Sequence, residues 1–310
     1  MSSPVIATDS DQGPRPSQQD ACSHRFEPDS GGWRATVADG FGDHPDTGEA
    51  AQLAADTATA APGEALDAVL AAARAITLTH PGTDCVLAHA RQDAPDDPID
   101  IAWVGDCRVW TWSPGGGLRQ HTRDHTHGQE LRDLRVSEDL ARIGDHAVTT
   151  SVATAALDDV GTATAPAADL TLFTCDGIHD YVDRRLLAEL VAEHAHDPDT
   201  LVRVLVDAAR EAESTDNATA LVIGLPPRPT GPGCHRTRQE RLLDGLEGFG
   251  GTGFGAHLPE DSEYLLRTLA EDRAAGIACD RFLLRDGTTY WCTKDSDHTD
   301  HHVSWHGVTW

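Results

Sequence analysis

Along most of this chain, short β-rich runs come in groups and helical stretches come in pairs, and that grouping constrains the fold more than any other feature. Trp33–Ala38, Cys85–Ala90, Ile99–Val104, Arg108–Trp112, Leu170–Cys175 and Ala218–Ile223 are apolar runs of strand length. Gly105-Asp106-Cys107 separates two of them, and Gly115-Gly116-Gly117 makes a turn. Gly48–Ala60 is Ala-rich and helical, Pro62-Gly63 breaks it, and Glu64–Leu78 resumes with apolar residues at helical spacing. A second pair follows at Arg184–His194 and Thr200–Ala212, with Asp183 and Asp199 as expected N-caps. Runs of strands and pairs of helices favour a layered α+β sandwich over a doubly wound βαβ fold.

The grouping stops near residue 225. Pro226–Gly233 packs four prolines and two glycines into eight residues and reads as a linker. Residues 1–225 carry 15 basic and 38 acidic residues and residues 226–310 carry 9 and 13, so the boundary shows in charge as well. The expected organisation is a domain over 1–225, a linker over 226–233 and a small α/β module over 234–310. A net charge of −27 repels nucleic acid and anionic membrane while attracting divalent cations. No apolar run reaches transmembrane length, and Met1–Asp11 lacks the basic and apolar regions of a signal peptide, so the expected address is the cytoplasm. Seven cysteines without a CxxC pair indicate buried thiols rather than a zinc knuckle or disulfide scaffold.

Chemistry is suggested by a set of aspartates at strand ends or in tight turns: Asp20, Asp39, Asp106, Asp176 and Asp216. Any one alone is an ordinary turn residue. If the set converged, each pair at about 4 Å would repel by roughly 4 kcal/mol at an effective dielectric near 20, so convergence would require bound metal. All-oxygen ligation suits Mg²⁺ or Mn²⁺ rather than zinc. Spacing alone does not bring them together.

The order and wording of these segments resemble the metal-dependent protein phosphatases of type 2C, in their compact bacterial form. The matching blocks are Arg15 ahead of Gln18-Gln19-Asp20, Asp39-Gly-Phe-Gly-Asp-His44 with Gly48-Glu49, Gly105-Asp-Cys-Arg108, Thr122-Arg-Asp-His125, and Cys175-Asp-Gly-Ile178 with Asp180 and Asp216-Asn217. The resemblance covers about residues 5–225. It implies an αββα four-layer sandwich, two central antiparallel sheets flanked by helix pairs, with a binuclear Mg²⁺ or Mn²⁺ centre at one end. Asp39 would bridge the two metals, with the Gly40 carbonyl a further ligand. Asp176 and Asp216 would complete the first site, and Asp20 would act on the second through water. Asp106 with Asp176 would hold a third, weaker metal. Arg15 would clamp the substrate phosphate, for which its planar fork is suited. His44 is the nearest candidate general acid, against the reading of a surface histidine among 17.

The implied reaction is hydrolysis of phosphoserine or phosphothreonine in a phosphorylated protein by a metal-bridging water, reversing the work of a serine/threonine kinase. A cysteine-phosphatase route would need Arg six residues after the nucleophile, where Tyr181 and Ser113 stand instead. Gln18-Gln19 replaces the family's Asn-Glu, Asp84 replaces a threonine, and Cys107 and Cys175 replace serines. The alternative is a non-catalytic relative that binds a phosphoprotein through Arg15.

Thr126–Val148 corresponds to the flap of the bacterial enzymes and carries Arg132, Arg135 and Arg142. These either dock an acidic phosphopeptide or form ion pairs along a solvated helix. Beyond the linker, Asp261–Ala274 reads as an amphipathic helix and Arg281–Thr293 as a hairpin around Asp286-Gly287. His298, His301, His302 and neighbouring aspartates read as a polar chain end or a transition-metal cluster.

Overall fold

The computed structural model describes residues 4–42 and 44–224, together with the strands at 282–285 and 288–291. In chain order the elements are β1 (Val5–Asp11), β2 (Asp20–Glu27), β3 (Gly32–Phe41), α1 (Thr47–Ala60), α2 (Ala65–Thr79), β4 (Asp84–Gln92), β5 (Ile99–Val104), β6 (Arg108–Ser113) and β7 (Gly117–Gln120). Then come α3 (His127–Asp133), α4 (Glu138–Ala141), β8 (Gly161–Ala165), β9 (Leu170–Thr174), α5 (Asp176–His179), α6 (Arg184–His194), α7 (Pro198–Glu211) and β10 (Ala218–Gly224). The chain divides into two units, 1–235 and 236–310; in the second, β11 (Phe282–Arg285) and β12 (Thr288–Trp291) pair antiparallel, where the sequence predicts a hairpin. The predicted linker, the helix at 261–274 and the His/Asp cluster lie outside the described residues.

Two five-stranded sheets form the first unit, in the orders β1-β10-β9-β6-β7 and β2-β3-β4-β5-β8, with every pairing antiparallel. Strand alternation builds three apolar layers from them. In β3, Trp33, Ala35 and Val37 face the other sheet, meeting Val109, Phe173, Leu221 and Ile223. Trp33 meets Phe173 edge-to-face, ring centroids 6.5 Å apart. The intervening β3 residues face the helices: Thr36 bonds Thr59 at 2.9 Å, and Ala38 packs with Ala50, Ala54 and Ala58 of α1. The alanine methyls are too small to hold α1 off the sheet, so the helix buries a broad small-residue face. On the opposite side, Leu201, Val202 and Leu205 of α7 with Leu187 and Val191 of α6 cover Leu170, Leu172, Ala220 and Val222. The result is the expected αββα sandwich, a helix pair against the outer face of each sheet.

The expected cap at Asp183 is present, its carboxylate accepting from the Arg185 and Leu186 amides. The expected cap at Asp199 is not. Asp197 caps α7 instead, accepting from Thr200 N–H at 3.1 Å, because Pro198 fits the first helical position and starts the helix earlier.

Candidate metal centre

The alternation that buries Trp33, Ala35 and Val37 between the sheets carries Asp39, two residues on, to the same face at the end of β3. Asp20 stands directly opposite it in the β2–β3 ladder. Asp106 follows β5 on a turn whose Gly105 has φ +92°, with Val86 filling the space a side chain would need. Asp176 opens α5 after β9, and Asp216 precedes β10. Strand ends from both sheets thus deliver five aspartates to one end of the sandwich. There a cavity of about 500 Å³ is lined by Arg15, Asp39, Gly40, Asp106, Asp176 and Asp216, among others. Gly40 is required: a Cβ would sit 2.7 Å from Thr47 Cγ2 and 2.9 Å from the Gln19 carbonyl.

These groups concentrate desolvated negative charge in one place. Both carboxylate oxygens of Asp20 and Oδ1 of Asp176 are buried without a hydrogen-bond partner. Burial raises Asp20 to about 6, offset in part by the nearby Thr219 hydroxyl and Cys175 thiol. Burial and the Asp124 carboxylate raise Asp106 to about 7. Asp39 is pushed well up by burial, then by Asp20, Asp176, Asp106 and Asp216. Asp176 rises for the same reasons, with Asp106 its strongest charged neighbour. An all-oxygen donor set with orphaned buried acceptors fits a hard divalent cation such as Mg²⁺ or Mn²⁺.

Several residues position the segments of this centre, most of them within the motif blocks. Asn217 accepts from Gln19 N–H at 2.8 Å and donates to the carbonyls of Gln12 at 2.7 Å and Ser17 at 3.2 Å, fastening the loop that carries Arg15 and Gln19. Arg210 on α7 donates to the carbonyls of Ser214 at 3.0 Å, Asp216 at 2.9 Å and Asp11 at 2.7 Å. Asn217 was visible as half of the Asp-Asn pair, whereas nothing around Arg210 signals its role. His125 grips Gly105 from both sides, its Nδ1 accepting from Gly105 N–H at 3.2 Å while its own N–H donates to the Gly105 carbonyl at 2.9 Å. Arg108 makes a bidentate pair with buried Asp124, so the Gly-Asp-Cys-Arg and Thr-x-Asp-His segments brace one another. Asp84 accepts from the amides of Cys85 and Ala153 and from the Ser151 hydroxyl, tying β4 to the segment before β8.

Arg15 lies at the cavity with its guanidinium on Asp216 at 2.5 Å and its Nε–H on the Thr215 carbonyl at 3.2 Å. His44 is not brought into the cavity lining; its side chain is 42% exposed, and its Nδ1 accepts from the Asp46 amide at 3.2 Å. Cys107 and Cys175 are buried, and burial with the surrounding aspartates pushes both thiols well up. In the flap, Arg132 is held by Asp145 and Glu138, and Arg142 lies 3.6 Å from Glu138, so two of its three arginines are paired within the flap. His146, at the flap's far end, joins the cavity lining, with no sequence signal to mark it.

Solved structures match 72–73% of this chain and nearly all of their own. They include the serine/threonine phosphatase Stp1 of Staphylococcus aureus, at 17% identity and TM-score 0.64 over 73% of this chain and 96% of its own. The PPM Ser-Thr phosphatase MsPP of Mycobacterium smegmatis, in complex with cacodylate, matches at 27% identity and TM-score 0.59 over 73% and 100%. The serine/threonine phosphatase PstP/Ppp of Mycobacterium tuberculosis matches at 23% identity and TM-score 0.60 over 72% and 98%. No protein-family sequence model and no curated protein sequence matches the chain. The fold is that of the bacterial PPM-type phosphatases, as the motif resemblance implies.

Proposed function

We propose that the chain is a metal-dependent phosphatase hydrolysing phosphoserine and phosphothreonine in proteins, with the first 225 residues as its catalytic domain. The observation that carries this reading is the meeting of Asp20, Asp39, Asp106, Asp176 and Asp216 at one end of the sandwich, beside Arg15. The likeness to MsPP, a Ser-Thr phosphatase at 27% identity, supports it.

Asp39, Asp176, Asp216 and the Gly40 carbonyl would hold two Mg²⁺ or Mn²⁺ ions, with Asp20 acting on the second through water and Asp106 joining Asp176 at a third. Such ions, when bound, supply a water of lowered pKa and neutralise phosphoryl charge. Arg15 turns its guanidinium from Asp216 to the phosphoryl oxygens and orients the substrate. His44, two residues beyond cavity-lining Gly42, gives the leaving alkoxide its proton. The buried, high-pKa thiols take no part as nucleophiles. We assign the protein to a cytosolic bacterial signalling pathway, opposing a serine/threonine kinase. Among the described residues, no helix is long and apolar enough to cross a membrane.

One observation favours a second reading. Gln19 lines the cavity as a neutral amide, its Nε2 on the Gly42 carbonyl at 3.1 Å, in the position where the family has a carboxylate. That would suit a weakly metallated phosphoprotein binder. Hydrolysis of p-nitrophenyl phosphate and a phosphothreonine peptide decides between the two, comparing wild type and Asp39→Asn with Mn²⁺, Mg²⁺ and chelator. Turnover that needs metal and disappears in the variant supports the enzyme. Inert wild type that still binds the phosphopeptide supports the binder.

A further inference from the structure

Among the described residues, Arg15 is the one Lys or Arg side chain in the cavity lining. The other arginines on the segments that build this end of the sandwich are spent inside the fold. Arg108 is held by Asp124, Arg123 by Asp133 of the flap, Arg210 by Asp11, and Arg132 by both Glu138 and Asp145. Arg142 approaches the same Glu138 at 3.6 Å. Across the flap, residues 126–148, three arginines stand against five acidic residues. Acids are left over at the rim as well. The Tyr181 and Thr215 hydroxyls hydrogen-bond at 2.9 Å, closing the rim where Arg15 meets the Thr215 carbonyl. Asp183, two residues beyond Tyr181, and Glu213, two before Thr215, are exposed there, and no described Lys or Arg side chain pairs with either.

The imbalance is larger than bound metal corrects. Residues 1–225 carry 15 basic and 38 acidic residues, a net of −23, and three divalent ions would add only six positive charges. A phosphoryl group brings about two more negative charges to the cavity. Metals and Arg15 answer the phosphate at short range, whereas the residues beside it meet the negative field of the whole domain. We infer that the proposed phosphatase site, on which this rests, takes phosphorylated segments flanked by arginine or lysine and turns away those flanked by aspartate or glutamate. Complementary charge speeds encounter and suppresses wrong partners, with effects of about 10- to 1000-fold on association rate. Docking of an acidic phosphopeptide by the flap is disfavoured, because Arg132 and Arg142 already face carboxylates. The kinase opposed by this site is then one that phosphorylates hydroxyls in basic stretches of sequence.

The test is initial-rate hydrolysis, by the full chain in Mn²⁺, of three phosphothreonine peptides identical except for flanking arginine, alanine or glutamate. Rates are taken in about 10 mM and about 0.5 M salt, where the Debye length is roughly 30 Å and roughly 4 Å. In low salt kcat/KM is expected to fall in the order arginine, alanine, glutamate, with about tenfold or more between the extremes. In high salt the same extremes should lie within about threefold. p-Nitrophenyl phosphate, which has no flanking residues, reports whether salt disturbs the metal centre itself. Equal use of the peptides in low salt, a preference for glutamate, or a preference that high salt leaves intact overturns the inference. Failure of the underlying reading looks different: neither the peptides nor p-nitrophenyl phosphate is hydrolysed. Fluorescence anisotropy of the same peptides, labelled, then decides the charge preference by affinity in the two salts.

Discussion

Asp20 and Asp39 are cross-strand partners at the head of the β2–β3 ladder, and both oxygens of Asp20 are buried with no donor to meet them. Like charges directly opposite one another destabilise a sheet, and more so when desolvated. The pair is therefore a standing cost to the metal-free fold, retained at the point where the resemblance places the metal bridge.

Removing one charge should relieve that cost. Asp20→Asn is expected to stabilise the metal-free protein by about 1–3 kcal/mol, part of the roughly 4 kcal/mol repulsion of a close pair. The same substitution should shrink the thermal stabilisation gained from Mn²⁺. Urea unfolding in chelator and in Mn²⁺ measures both; a variant less stable than wild type in chelator would contradict the repulsion.

The raised carboxyls also set a pH dependence. Asp20 moves from 3.8 to about 6 and Asp106 from 3.8 to about 7, so the folded state binds these protons more tightly than the unfolded state. Their contribution to stability is full below about pH 4 and is lost as pH rises through 6 and 7. Melting temperature in chelator should fall by several degrees across that window. Saturating Mn²⁺ should flatten or reverse the slope, because cations compete with protons for the same oxygens. A chelator profile that rises from pH 5 to 8 would count against these shifts.

Arg15 is assigned to the phosphate rather than to the fold. It is half exposed, so Arg15→Ala should change thermal stability little. Its effect should fall on turnover of phosphopeptide, with kcat/KM down about 10- to 100-fold through loss of a charge-assisted bidentate contact. Arg15→Lys should recover only a fraction. Steady-state kinetics alongside melting curves separates this from general destabilisation.

For His44, the decisive comparison is between leaving groups. A serine alkoxide needs a proton on departure, whereas p-nitrophenolate does not. His44→Ala should lower kcat on a phosphoserine peptide by about 10²-fold while leaving p-nitrophenyl phosphate nearly unchanged. Equal losses on both substrates would give His44 a positioning role, which its bond with the Asp46 amide before α1 would explain.

The strands legible in the sequence are those buried on both faces or on a long apolar face, such as β9 and β10. The ones that escape notice sit at sheet edges or carry little apolar surface. β1 buries only Ala7 and contains Asp9, Ser10 and Asp11; β8 alternates glycine, alanine and threonine; β7 follows directly on the glycine turn. Asp39, Asp106 and Asp176 are legible because each directly follows a strand-like run and adjoins a glycine. Arg210 is not, because its work is to bind backbone carbonyls, one of them 199 residues away at Asp11. Asp197 rather than Asp199 caps α7 because Pro198 fits the first helical position, a local preference that outweighs the spacing of the apolar residues.

β10 lies between β1 and β9, the last strand of its sheet to be made and the only described partner of the first. During synthesis, β1 therefore waits for a partner encoded at the far end of the domain, and Asp216 is the last of the five acids to emerge. A ribosome-bound chain halted before β10 would hold the other four acids without the strand that closes the sheet. Hydrolytic competence would thus arrive as a single late event in biosynthesis, once the whole domain has cleared the exit tunnel.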